Sequence, residues 1–182
     1  QAAVDVEGRM LILGHRVSTS PTDKQQLSDT VDTVDEKVRK SDSALADTGF
    51  YSGEQIEKVE ADGGPEAYVA SRKGKHGKTV ADLEKKDDPP PPPEDATILE
   101  KVKHRMSTKK GKELYKLRKQ TVEPVFGIIK QAMGFRQFHL RGHPKVELEW
   151  NLVCLAYNFR RLFNISDSGS LLQNTLISAE TS

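Results

Sequence analysis

Cysteine is almost absent. Cys154 stands alone among 182 residues, so no disulfide can form within the chain, and its apolar surroundings mark it as a small core residue. No apolar run approaches the roughly 18 residues that a membrane-spanning helix needs, and nothing at the start has the form of a signal peptide. A cytoplasmic protein without a membrane partner is therefore expected. Apolar residues make up only 35% and aromatics 6%, against 30% charged, so the core must be modest and part of the chain should not contribute to it. Walker, dinucleotide-fingerprint, GxSxG and HExxH patterns are missing, which argues against the commonest nucleotide, serine-hydrolase and zinc-protease chemistries. The five histidines, His15, His76, His104, His139 and His143, offer no metal pair. His139 and His143 are four apart but flank Arg141-Gly142, which does not suit a helical zinc site. A starting Met is missing too: Gln1 opens directly into apolar alternation, so a fragment is expected.

Acidic residues are scarce in one region and crowded in the other. Residues 1–100 hold 21 Asp/Glu against 13 Lys/Arg, whereas residues 101–162 hold 4 against 15. That basic block is interleaved with Tyr115, Phe126, Phe135, Phe138, Trp150 and Tyr157, as a surface facing phosphates would be. A lysine-rich solvated helix has the same composition and remains the alternative.

Along the chain, two apolar runs around Glu7-Gly8 predict a β-hairpin over residues 1–18. Leu27, Val31, Val34 and Val38 predict an amphipathic helix that starts near Pro21 and Thr22. A short strand over Ala44–Ala46 follows, then a turn at Asp47-Thr48-Gly49. The next helix begins with Ser52 as N-cap, Gln55 closing a capping box, and stops near Gly63. PEAYVAS predicts a further strand, and this alternation argues for an α/β sheet with some parallel pairing. Residues 71–95, with five consecutive prolines, read as a disordered or polyproline insertion. Helices are expected over roughly 96–106 and 109–121, with another starting at Pro124. A buried closing helix should then contain Val146, Trp150, Val153, Tyr157 and Leu162, followed by a frayed tail over 164–182.

Two acids stand out. Asp47 follows an apolar strand and precedes Gly49, so its carboxylate should project from the C-terminal end of a strand, where open α/β sheets place ligands; a simple turn aspartate has the same local sequence. Glu123 is one of few acids in a cationic block. Lys130, seven residues on, shares its helical face at about 10.5 Å along the axis, a distance suited to a metal at one end and a phosphate at the other. Pro124 directly after Glu123 predicts a helix start or kink there. Tyr115 and Arg118 share a face one turn earlier, and offer a stackable ring and a bidentate fork for phosphate.

The run YKLRKQTVEPVFGIIKQAMGFRQFHLRG with KVELEWNLVCLAYNFRRL resembles the C-terminal signature of bacterial insertion-sequence transposases of the DDE class. QAAVD, SPTDKQQL and LADTGFYSGEQI resemble earlier blocks of the same family in the same order, so the likeness covers residues 1–70 and 98–163. It implies an RNase H-like fold, a mixed sheet flanked by helices, incomplete at its N-terminus. It also implies two Mg²⁺ or Mn²⁺ ions held by two aspartates and a glutamate, for phosphodiester cleavage and strand transfer at transposon ends. In that resemblance Asp47 matches the second aspartate and Glu123 the glutamate. Tyr115, Arg118 and Lys130 match the DNA-positioning members of a Tyr-Arg-Glu-Lys pattern. One residue too many separates Arg118 from Glu123: either Lys119 takes the Arg role or a kink at Pro124 absorbs it. The first aspartate is expected upstream of Gln1, with Asp5 as the nearest substitute. The partners implied are DNA and, within a DNA complex, a second copy of the chain. A catalytically inactive DNA-binding remnant or regulator is the rival reading, and a nuclease on the same fold a third.

Overall fold

The computed structural model describes residues 1–35, 37, 38, 41–71 and 87–180, with 167–180 as backbone alone. The chain forms two compact units, Ser20–Gln120 and a second made of Gln1–Thr19 with Thr121–Ser182. No helix among the described residues is long and apolar enough to cross a membrane.

In the second unit the expected hairpin forms. Strand β1 (Ala2–Val4) pairs antiparallel with β2 (Ile12–His15), and the register shifts between Ala3 and Val4. The loop between them turns through Gly8 at φ 90°, a value that costs a residue without Cβ little. Its outer edge is closed by a helix side chain: Asn158 donates to Ile12 O at 2.8 Å and accepts from Ile12 N at 2.9 Å, so one amide replaces a neighbouring strand. Tyr157 Oη and Trp150 Nε1 donate to the carbonyls of Met10 and Gln1. Beneath the hairpin lies a core of Ile12, Val125, Ile129, Trp150, Cys154 and Tyr157.

The Ser20–Gln120 unit alternates strand and helix. Helix α1 (Leu27–Val31) leads to β3 (Ser43–Ala46), then α2 (Gly53–Glu60), then β4 (Glu66–Val69), which lies parallel to β3. Helix α3 (Ile98–Ser107) covers β4, and Leu27, Ala46, Ile56, Val59, Ala67, Val69 and Val102 form the core. The outer edge of β4 is closed much like that of β2. Glu60 accepts the Ala67 N–H at 2.8 Å, while Arg105 donates to Ala67 O at 2.6 Å and pairs with Glu60. The α/β composition and the parallel pair agree with the sequence. Instead of one mixed sheet, the described strands pair two by two.

Several boundaries differ from those expected. Helix α1 is five residues long and does not reach Val38: Thr30 lies in its last turn, Asp32 and Thr33 follow it, and the Thr30 and Thr33 hydroxyls bond the Gln26 and Thr30 carbonyls at 2.7 Å and compete with helix continuation. Ser52 occupies the N-cap position of α2 without a side-chain cap bond, since Gln55 turns inward and takes Ser28 N and Oγ instead. The capping box lies at Thr97 and Glu100, at the head of α3. Within the Pro-rich segment, residues 72–86 lie outside the described residues. The remainder is irregular but docked: Asp88 accepts the Lys109 N–H at 2.7 Å, and Pro89 O lies 3.1 Å from His104 Nε2. The last helix, α5 (His143–Glu180), continues through the expected tail.

Candidate functional site

Asp47 directly follows β3, and its backbone is extended, φ −74° and ψ 165°, so the carboxylate leaves the chain at the C-terminal end of the strand as predicted. One oxygen accepts the Thr48 N–H at 2.7 Å, which fixes the side chain against its own turn. The other faces Arg118 Nη1 at 3.8 Å. Arg118 is 13% exposed and Asp47 57%, so the cation is enclosed while the anion faces solvent. The guanidinium lies over the Tyr115 ring, 5.6 Å from its centroid, in cation–π contact. Burial pushes the Tyr115 hydroxyl up from its ordinary range, and Arg118 pulls it partly back. Three residues picked out by sequence, separated by some seventy positions, thus meet in one unit.

Arg118 and Tyr115 are delivered by α4 (Lys109–Gly127). Pro124 sits inside this helix, so the helix does not begin at Glu123 as the sequence suggested. A proline removes one i→i−4 bond; the fully buried Val125 and Ile129, packed in the same core as Trp150, offset that loss. The helix then widens into a π-turn over Ile128–Ala132, with Met133 N donating to Ile128 O at 3.0 Å. The regular repeat that would set Lys130 over Glu123 ends at this turn. Such π-turns gather at functional sites. Glu123 and Lys130 are both exposed and belong to the other unit, as does Asp5. Asp5 is buried, and its carboxylate accepts the Glu7 N–H at 3.1 Å: it shapes the hairpin loop.

Lys119 is exposed and is not alone. Lys109, Lys112, Lys116 and Lys119 recur at steps of three, four and three on α4, all exposed, which aligns four cations along one helical face. Sequence reading singled out Lys119 and passed over the other three, although their spacing was visible. His139 and His143 form no pair: His139 N donates to Glu149, Gly142 turns at φ 88°, and His143 opens α5.

A divalent ion held by carboxylates needs hard oxygen donors facing solvent. Asp47 offers such a solvent-facing carboxylate, and the Arg118 cation beside it would compete with a metal for its charge. Among the described residues no three His, Cys, Asp or Glu side chains are grouped to hold a metal.

Residues 93–163 match the family described as transposase DDE domain, a span that holds α3, α4 and the first half of α5, and with them Tyr115, Arg118, Lys119, Glu123 and Lys130. The match supports a DDE transposase, a class whose domains generally use divalent metals and act on DNA. Asp47 lies outside the matched span. No curated protein and no solved structure matches the chain.

Proposed function

We propose that this chain is the RNase H-like catalytic part of an insertion-sequence DDE transposase of the Tyr-Arg-Glu-Lys type. Asp47 and Glu123 would each supply a carboxylate for divalent metal, and Tyr115, Arg118, Lys119 and Lys130 would hold DNA. The observation that carries this reading is the meeting of Asp47, Arg118 and Tyr115 at the C-terminal end of a parallel strand, a place where α/β sheets bind ligands. The matched transposase segment, which contains two of these three, adds support.

When bound, Mg²⁺ or Mn²⁺ supplies charge stabilisation on a phosphodiester and an activated oxygen nucleophile. The chain's own residues have simpler tasks. Thr48 N–H and Arg118 fix the rotamer of Asp47 before any ligand arrives. Arg118, enclosed against Tyr115, presents a guanidinium that can pass from carboxylate to phosphate without reorienting, since both accept its fork. The lysine face of α4 attracts the DNA backbone irrespective of sequence.

Mn²⁺ binding followed by electron paramagnetic resonance, with Mg²⁺-dependent nicking of transposon-end DNA, tests the assignment. Asp47→Asn and Glu123→Ala should each weaken Mn²⁺ binding at least about tenfold, since loss of even a group that only orients a metal ligand costs about that much. Equal Mn²⁺ binding by the chain and both variants would falsify the site. The second reading, a DNA-binding regulator without catalysis, is favoured by two observations: Asp5 is committed to its turn, and Asp47 already has a counter-ion in Arg118. DNA binding that survives Glu123→Ala, with no metal bound by the parent chain, would select it.

A further inference from the structure

The proline run takes no part in the site proposed above, but it is held at both ends. At its head Asp88 accepts the Lys109 N–H at 2.7 Å, and Pro89 O lies 3.1 Å from His104 Nε2. At its foot the buried Ala96 donates its N–H to Pro93 O at 3.1 Å, directly before the Thr97–Glu100 capping box. Between these anchors Pro89, Pro90, Pro91, Pro92 and Pro93 follow one another. None of them belongs to the core cluster of the unit.

Each of these rings fixes its own φ near about −65°, and each residue that precedes a proline is driven to extended ψ. Every described peptide bond is trans, so the run takes the left-handed polyproline form. That form has about three residues per turn and rises about 3.1 Å per residue. Burial follows the same period: Pro89 and Pro92 are half-buried, whereas Pro90, Pro91 and Pro93 are exposed. One edge of this three-sided helix therefore lies on its own unit. The other two stand out, with Pro90 and Pro93 in line along one and Pro91 on the other.

Two exposed edges of a polyproline helix are what a shallow groove between aromatic rings receives, and a helix already formed loses little freedom on docking. Here the rings and the two anchors both supply that order. Charge narrows the partner further. Glu94 and Asp95, directly after the run, are exposed; Asp87, before it, is fully exposed and meets Lys109 only at 3.9 Å. A groove with a cation at its rim complements these ends, and one with an acidic rim is repelled. We propose that Pro90, Pro91 and Pro93 form a docking ridge for a partner protein whose groove is lined by aromatic rings and rimmed by cations. The ridge shares no residue with the site proposed above and needs neither DNA nor metal, so it stands or falls apart from that reading.

The probe is an isotope-labelled WW-type domain, whose groove is lined by aromatic rings, carrying a lysine at its rim. The full chain is titrated into it, and the groove resonances are followed by nuclear magnetic resonance. Saturable shifts confined to the groove are expected. Pro90→Ala with Pro93→Ala should weaken binding more than about tenfold, and Pro91→Ala alone should weaken it too, with thermal unfolding of the chain unchanged. Glu94→Lys with Asp95→Lys should weaken binding to this probe and strengthen binding to the same domain with glutamate at its rim. The chain should also bind more tightly than a free peptide of residues 87–95, which must order itself first. No groove shift at millimolar chain, or shifts indifferent to the Pro90 and Pro93 substitutions, overturns the ridge. A peptide as tight as the chain overturns the role of the anchors, and equal binding to both rims overturns the charge assignment.

Discussion

Single side chains in this protein are fixed by what they lean on. Arg118 is enclosed because Tyr115 supplies a ring face and Asp47 a charge, neither of which is its neighbour in sequence except through the helix. Cys154, expected in the core, is there, and burial pushes its thiol up to about 12, so it stays protonated and unreactive at neutral pH. His15 on β2 gives a testable case. Burial holds its imidazole below the ordinary 6.5, so the fold prefers the neutral ring. A group with a lowered folded value contributes its stability above the unfolded value, and loses it as pH falls through the folded one. The urea midpoint of the parent chain should therefore drop between about pH 7 and pH 5 by more than that of His15→Gln. Equal drops would remove His15 as the cause.

At the level of elements, the strands were legible and the helix ends were not. Alternation and short apolar runs marked all four strands, because strand patterning is local and its period is two. Helix limits depend on competing side-chain bonds. Thr30 and Thr33 cut α1 short, and Gln55 abandoned the cap of α2 for Ser28. The Thr97–Glu100 box at the head of α3 follows the same local pattern as the one expected at Ser52, and it forms because nothing draws Glu100 elsewhere. Thr97 holds the Glu100 carboxyl below its usual range through backbone and side-chain bonds. Replacing Thr97 with Ala should cost about 1 kcal/mol of unfolding free energy, read by chemical denaturation. A change of a few tenths would mean that docking of α3 on β4 through Arg105, and not its cap, sets the stability of that helix.

For the molecule as a whole, the charge division seen in sequence becomes a helix face. Lys109, Lys112, Lys116 and Lys119 align on α4, and Lys130, Arg136, Arg141, Lys145 and Arg160 are exposed further along. DNA affinity measured by fluorescence anisotropy should fall linearly in log–log form with salt, by a slope of about −0.9 for each phosphate neutralised. Lys116→Ala with Lys119→Ala should flatten that slope by about 2 and weaken all DNA sequences alike. An unchanged slope would mean that α4 does not face the backbone.

The sequence by itself determined the alternation of strand and helix, the basic character of the second half and the buried cysteine. These are local or compositional facts, and local physics suffices for them; Asp47, Tyr115 and Arg118 stood out as a set only through the resemblance to DDE transposases. Tertiary structure decided the rest. It carried α4 through Pro124, because burying Val125 and Ile129 outweighs one missing backbone bond. It committed Asp5 to a turn, and it joined Asp47 to Arg118 across some seventy residues, a contact that no spacing rule encodes. It also divided α5 into a face that the core consumes and a face left exposed. Both are equally apolar in sequence, and only packing tells them apart.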